Sequence, residues 1–386
     1  MVSTSAVGRL IALLALTVFS GALVTRLTDP LVAVLAQDLG GTAARAALLA
    51  SAFALPFALI QPILGPVGDA LGKRRVMAIA IAVLTILLAA CAAAPDLDSL
   101  MVLRALTGLA AGGLNPLAIA LVSDTAPAEG RQVALSRLVA CAIAGQIAGG
   151  SAAALLEPYI GWRGVMLAAS VMAAIGFLTL LLGGRGFQAE PRRRFDPWGA
   201  AAGYVHIMRM PAARVLYFSV AVEGGFVFGS FPYFAVELQA RGIGATAEAG
   251  LAVAAFGAGG LIYTANAKQV LRSIGQNRMV LVGGVLCLLS DATFAFAPTA
   301  PVFIGAGVFL GIGMFMIHNS IQTRVADVAP RARGTAVALH AFHFFLGQTA
   351  GPLVFGLILH QAGARTAFLT GGVILLSLAA LLASRR

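Results

Sequence analysis

A run of roughly 20 apolar residues is the length that carries a helix across hydrocarbon, and such runs recur along this whole 386-residue chain. Short polar turns separate them into twelve predicted spans. The first six cover 10–35, 45–66, 76–94, 99–123, 133–156 and 164–183; the second six cover 214–238, 247–266, 279–297, 301–324, 335–359 and 366–384. Hydrocarbon offers the backbone no hydrogen-bond partner, so each isolated span must be a helix. Charged residues make up 11% of the chain, against roughly 25% in a soluble domain. With 60% of residues hydrophobic, no single core could hide the apolar surface. Soluble enzymes, nucleic-acid binders and disordered scaffolds are excluded, and an all-α membrane protein is expected.

The net charge of +11 takes its meaning from placement. With the N-terminus in the cytoplasm, the inner loops and tails collect 20 of the Lys and Arg residues; the outer loops hold only Arg45, Arg163, Arg241 and Arg365. This is the positive-inside pattern. It predicts both termini in the cytoplasm of a bacterial-type inner membrane, with the lipid bilayer as partner and no nucleic acid. Arg9 before an apolar run has the look of a signal peptide, but the many later runs make it span 1. Cys91, Cys141 and Cys287 are odd in number and sit in apolar stretches, as packing residues do.

The longest polar stretch, carrying Glu190-Pro191-Arg192-Arg193-Arg194, falls between spans 6 and 7. It divides the chain into an N-terminal bundle (1–183), a cytoplasmic linker (184–213) with a weak amphipathic helix near 198–208, and a C-terminal bundle (214–386). The halves repeat. At an offset of 203, Gly72 meets Gly275, Arg75 meets Arg278, Pro95 meets Pro298, Gly108 meets Gly311 and Asp124 meets Asp327. One residue earlier in register, Gly145-Gln146 meets Gly347-Gln348 and Gly161-x-Arg163 meets Gly363-x-Arg365. Two homologous six-helix bundles follow.

Between spans 2 and 3 lies Gly65-Pro66-Val67-Gly68-Asp69-Ala70-Leu71-Gly72-Lys73-Arg74-Arg75. Its glycines permit close helix approach and a tight turn. Asp69 beside the basic run can form charge pairs that hold one helix arrangement and release in another. At these residues the chain resembles the major facilitator superfamily, whose signature loop has Gly, Asp, Gly and paired basic residues at this spacing. Arg104 with Gly108 and Gly112, and Gly161-Trp162-Arg163, agree with it. The chain departs at Ala70, where the family often has a basic residue. It departs also in span 5, which lacks the Gly-Pro of many proton-coupled exporters and leaves transport direction open. The resemblance implies twelve transmembrane helices in two pseudo-symmetric bundles, with spans 1, 4, 7 and 10 around a central cavity.

Arg26 and Asp29 in span 1, Arg104 in span 4, Glu223 in span 7, and His318 and Asn319 in span 10 then face a transport path. Ionisable residues in a membrane cost roughly 2.5–3.5 kcal/mol each on insertion scales, and read as functional by default. Arg26 and Asp29 are i, i+3 neighbours and pair. Glu223 has no basic residue within a turn, which makes it the candidate proton carrier. His340 and His343 lack the further ligands a metal needs, so packing or hydrogen bonding is their expected role. Asp291, in span 9, falls outside the cavity. No phosphate loop, dinucleotide loop, zinc-protease signature or hydrolase elbow is encoded, so neither an enzyme nor a cofactor is expected.

The expected function is secondary transport by a monomer, with a small molecule and protons as partners. Glu223-Gly224-Gly225 and the sparse polar content resemble the sugar-efflux and drug–proton exporter branch, which implies proton-coupled efflux of a small organic solute or drug. A second reading is uptake or exchange of a small organic anion held by Arg26 and Arg104. A third, on the ground that a fold does not fix a function, is a non-transporting sensor or assembly factor.

Overall fold

A computed structural model describes residues 4–125, 128–183, 197–329 and 332–384. Arg185, Arg192, Arg193, Arg194 and the rest of 184–196 lie outside the described residues, as do Pro127 and Pro330.

Among the described residues, eight helical stretches are long and apolar enough to cross a membrane. Three of them, Ala128–Gly183, Thr246–Phe296 and Arg333–Ser384, break at Gly161, Gly275 and Gly363 and so cross twice. With Thr4–Leu23, this makes the twelve spans. Spans 2, 3 and 10 are Ala43–Leu71, Lys73–Ala92 and Ala300–Val328. Span 4 runs as Leu97–Ala111 and Leu114–Thr125, interrupted at Gly112-Gly113. A separate connecting helix, Pro197–Arg209, leads into span 7.

Among the described residues, six glycines have positive φ: Gly40, Gly72, Gly161, Gly242, Gly275 and Gly363. They form three pairs at the repeat offset, at the turns after spans 1 and 7, 2 and 8, and 5 and 11. Only glycine enters that region without a steric penalty, so the shared turns are written into the backbone chemistry. The two membrane faces take their names here from the Gly40 and Gly72 turns.

Spans 1 and 7 also break alike. Thr4–Leu23 gives way to a 3-10 turn, Asp29–Leu31, and then Val32–Asp38. Pro211–Phe228 gives way to Phe231–Tyr233 and then Phe234–Ala240. Pro30 and Pro232 lack the N–H that continues a helix, and each stands second in its turn. The two broken tips touch each other.

Spans 3, 6, 9 and 12 hold the outside. Val83 and Ile86, Val171 and Ile175, and Val285 and Leu289 repeat at helical spacing and are all exposed, as lipid contact requires. Charged groups lie within: Arg26, Asp29, Arg104 and Glu223 are buried. Between the bundles, span 2 packs on span 11 and span 5 on span 8. Ser51 Oγ donates to the Thr349 carbonyl at 2.7 Å, Phe57 meets Phe345 at 4.2 Å between centroids, and Gly250 and Gly257 lie against Ala154 and Ile147. Small residues permit this close approach. Phe57–Phe345 lies near the middle of its spans, and the other contacts fall in the half of the molecule nearer the Gly40 face.

Candidate functional site

Two buried polar clusters meet near the breaks in spans 1 and 7. The first is built on the carbonyls that a broken helix leaves without partners. Arg104, 0% exposed, donates from both terminal nitrogens to the Val24 carbonyl at 3.2 Å, and its guanidinium lies 4.4 Å from the Phe53 ring centroid. A cation at a helix C-terminus is favoured by the macrodipole. Arg104 therefore fixes the end of span 1. Arg26 donates to Asp29 Oδ2 at 3.3 Å, as its spacing predicts, and also to Gln348 Oε1 of span 11. Its guanidinium lies 4.0 Å from the centroid of Phe228, the residue that occupies its own repeat position in span 7. One guanidinium thus joins the bundles through a hydrogen bond and a cation–π contact. Arg26 Nε, Thr28 Oγ1, Asp29 Oδ1 and Gln348 Nε2 are buried without a partner among the described residues.

The second cluster belongs to the C-terminal bundle. Glu223 Oε2 lies 2.9 Å from His318 Nδ1. The Glu223 side chain is wholly buried, whereas 16% of the His318 side chain is exposed. His340 of span 11 stands edge-on to His318 at 5.0 Å. Glu223 Oε1, Ser219 Oγ one turn away, and His340 Nε2 have no partner among the described residues. Asn319 turns toward the Tyr263 hydroxyl of span 8. Phe344 connects the clusters, 4.8 Å from His318 and 5.7 Å from Phe228.

The signature loop forms a third group, on the Gly72 face. Lys73 Nζ reaches Asp69 at 2.6 Å and Asp124, at the end of span 4, at 3.0 Å. Arg74 donates to the Leu180 carbonyl at 3.1 Å, near the end of span 6. These bonds tie spans 2, 3, 4 and 6 of one bundle together. Gly72 supplies the turn at φ 90°, and Gly68 lies against the Leu117 side chain, which would have to shift to admit a Cβ. Gly65 faces open space, and Arg75 is exposed.

No group of three or more metal-ligating side chains gathers among the described residues. The sequence profile of the Major Facilitator Superfamily matches residues 14–338 and, again, 216–386. The chain belongs to the major facilitator superfamily. It is a transporter and not an enzyme. The multi-drug resistance efflux pump PmrA of Streptococcus pneumoniae is 25% identical over 84% of this chain and 81% of its own length. The chloramphenicol resistance protein of Streptomyces lividans is 26% identical over 83% and 81%. A gallate transporter of Pseudomonas putida is 33% identical, over 38% of this chain and about a third of that protein (32%). The solved nucleoside transporter NupG shares the fold, with a TM-score of 0.76, 14% identity and coverage of 97% and 98%. So does the human organic anion transporter MFSD10, with a TM-score of 0.71, 16% identity and coverage of 97% and 99%.

Two residues of these buried clusters escape a reading of the sequence. Gln348 had shown only as a repeat partner of Gln146. His340 had shown only as half of a histidine pair, whose other member, His343, stacks on Tyr217 at 4.9 Å and bonds the Leu339 carbonyl. Asp291 is buried in span 9 against Gly371 and Gly372 of span 12, and its Oδ2 has no partner among the described residues.

Proposed function

We propose that this protein is a proton-coupled exporter of a small organic solute working by alternating access. Bodies 1–183 and 214–386 rock against each other, and the linker 184–213 spans the gap. The Gly72 face is cytoplasmic, with both termini, in a bacterial-type inner membrane, and the working unit is a monomer. The contacts gathered toward the Gly40 face then describe a state closed outside and open inside.

The observation that carries this reading is the Glu223–His318 pair. A carboxyl in a dry environment strongly prefers to be neutral or paired, and here its one recorded partner can itself take up a proton. His318 keeps an exposed edge, so it can pass protons between open space and Glu223. Phe344 and Phe228 pack continuously from His318 to Arg26, which holds Gln348 of the opposite bundle. A change in Glu223 charge is therefore linked through His318, Phe344 and Phe228 to the contact that joins the two bodies. Efflux-pump relatives aligned over most of the chain support the direction.

Uptake or exchange of an organic anion has one observation in its favour. Arg26 rests on an aromatic ring with Nε unpartnered, a platform suited to an aromatic carboxylate, and a relative carries the name of a gallate transporter. Arg104 likewise rests on Phe53 with its Nε unpartnered among the described residues, so both arginines serve this reading.

Proteoliposomes with an imposed pH gradient separate these readings. Chloramphenicol and gallate serve as neutral and anionic probes in a wider panel. Export coupled to protons predicts that a substrate dissipates the gradient, and that Glu223→Gln removes this effect while the protein remains folded. Gradient-driven flux that survives Glu223→Gln contradicts it. Loss of gallate flux on Arg26→Lys favours fork-like anion recognition.

A further inference from the structure

The turns after spans 5 and 11 are built alike and filled differently. After Gly161 come Trp162 and Arg163. The Trp162 ring is 3% exposed, and its Nε1 donates to Asp38 Oδ2 at 2.7 Å. Arg163 donates to the same carboxylate oxygen and to the Ala94 carbonyl at 3.2 Å. An indole and a carboxylate thus close this corner of the N-terminal bundle.

In the C-terminal bundle Gly363 repeats Gly161 and Arg365 repeats Arg163, but Ala364 stands in place of Trp162 and Ala240 in place of Asp38. Indole and carboxylate are both missing. A hollow of about 410 Å³ lies there, lined by Arg241, Phe296, Ala362, Ala364 and Arg365. The Arg365 guanidinium lies 5.3 Å from the Phe296 ring centroid and has no carboxylate partner among the described residues. Arg241 donates to the Phe294 carbonyl at 2.6 Å and to Glu237 at 3.3 Å. Glu237 offsets the charge of Arg241, so one net positive charge faces the hollow.

We infer that this hollow is a binding site, separate from the central clusters, for a small arylcarboxylate approaching from the Gly40 face. The ring takes the room that Trp162 fills in the other bundle, and the carboxylate takes the place of Asp38 in front of Arg365. The volume falls within the range of small-molecule sites. A planar guanidinium pairs with a carboxylate through two parallel hydrogen bonds. Phe296 offers the ring an aromatic neighbour. A single net charge suits a monocarboxylate better than a phosphate dianion.

The test is calorimetric titration of the purified full chain with benzoate, and with inorganic phosphate as an anion without a ring. Benzoate binds the wild type, and Arg365→Gln weakens that binding about tenfold, the equivalent of about 1.4 kcal/mol. The paired change Ala240→Asp with Ala364→Trp fills the hollow with the groups the other bundle uses. It abolishes the same binding without lowering the melting temperature. Benzoate binding of equal strength in Arg365→Gln, or in the paired variant, overturns the assignment. Phosphate binding that matches benzoate and shows the same dependence on Arg365 overturns the arylcarboxylate class.

Discussion

Arg104 shows how one side chain can look like a binding group and also serve the backbone. A buried charge in a transporter's central span invites a substrate role, yet both terminal nitrogens meet the carbonyl that the break in span 1 exposes. Removing the guanidinium strands that carbonyl. Hydrogen bonds to charged groups contribute about 1.5–3 kcal/mol, so Arg104→Leu should lower the melting temperature of the detergent-solubilised protein. Arg26→Leu should lower transport, and stability as well, because it leaves the buried Asp29 carboxylate without its cation. Equal melting of the wild type and Arg104→Leu would assign Arg104 to substrate. At this scale the sequence was half legible. Arg26 with Asp29, and Glu223, could be read because polar residues in an apolar span announce themselves. Gln348 and His340 could not: their roles depend on spans 1, 10 and 11 converging, with Arg26 and Gln348 322 positions apart, and no local periodicity encodes that.

The connecting helix gives the element scale its clearest case. Pro66 has no N–H to donate to the Pro62 carbonyl four residues back. The Tyr204 hydroxyl supplies the missing bond at 2.8 Å, docking Pro197–Arg209 onto span 2. Tyr204→Phe should cost about 1 kcal/mol. In a Pro66→Ala background, where the helix can donate its own N–H, the same change should cost almost nothing. An equal loss in both backgrounds would show that the hydroxyl acts elsewhere. On the opposite face, hydrogen bonds from Trp162 and then Arg163 hold the exposed Asp38 carboxyl below the usual carboxylate range. A lowered value means the contact stabilises fully above the ordinary carboxyl pKa of about 4 and is lost as pH falls through the lowered one. The melting difference between wild type and Asp38→Asn should therefore be constant from about pH 5 to 8 and shrink in stronger acid. A difference that grows in acid would contradict the assignment. Element positions were the most legible part of the chain. The Gly72/Gly275 and Gly161/Gly363 turns show in the repeat register, whereas Gly40/Gly242 needs the backbone angles to be seen.

For the whole molecule, pseudo-symmetry marks where the halves have diverged. Arg26 and Asp29 occupy one broken tip and Phe228 and Phe231 occupy its repeat, so a charged end rests on an aromatic one across the bundle boundary. A contact of that kind can release without leaving two like surfaces competing, as rigid-body rocking requires. The central claim is that protonation of Glu223 biases this rocking, and paired spin labels on each face test it most directly. With Cys91, Cys141 and Cys287 replaced, labels at Ala44 and Ala245 report the Gly40 face, and labels at Leu71 and Ser273 report the Gly72 face. In lipid nanodiscs at pH 5.5 and 8, the wild type should shift its two distance distributions in opposite senses, one face opening as the other closes, and Glu223→Gln should show no response to pH. The same pH response in Glu223→Gln, or both faces moving together, would contradict the account.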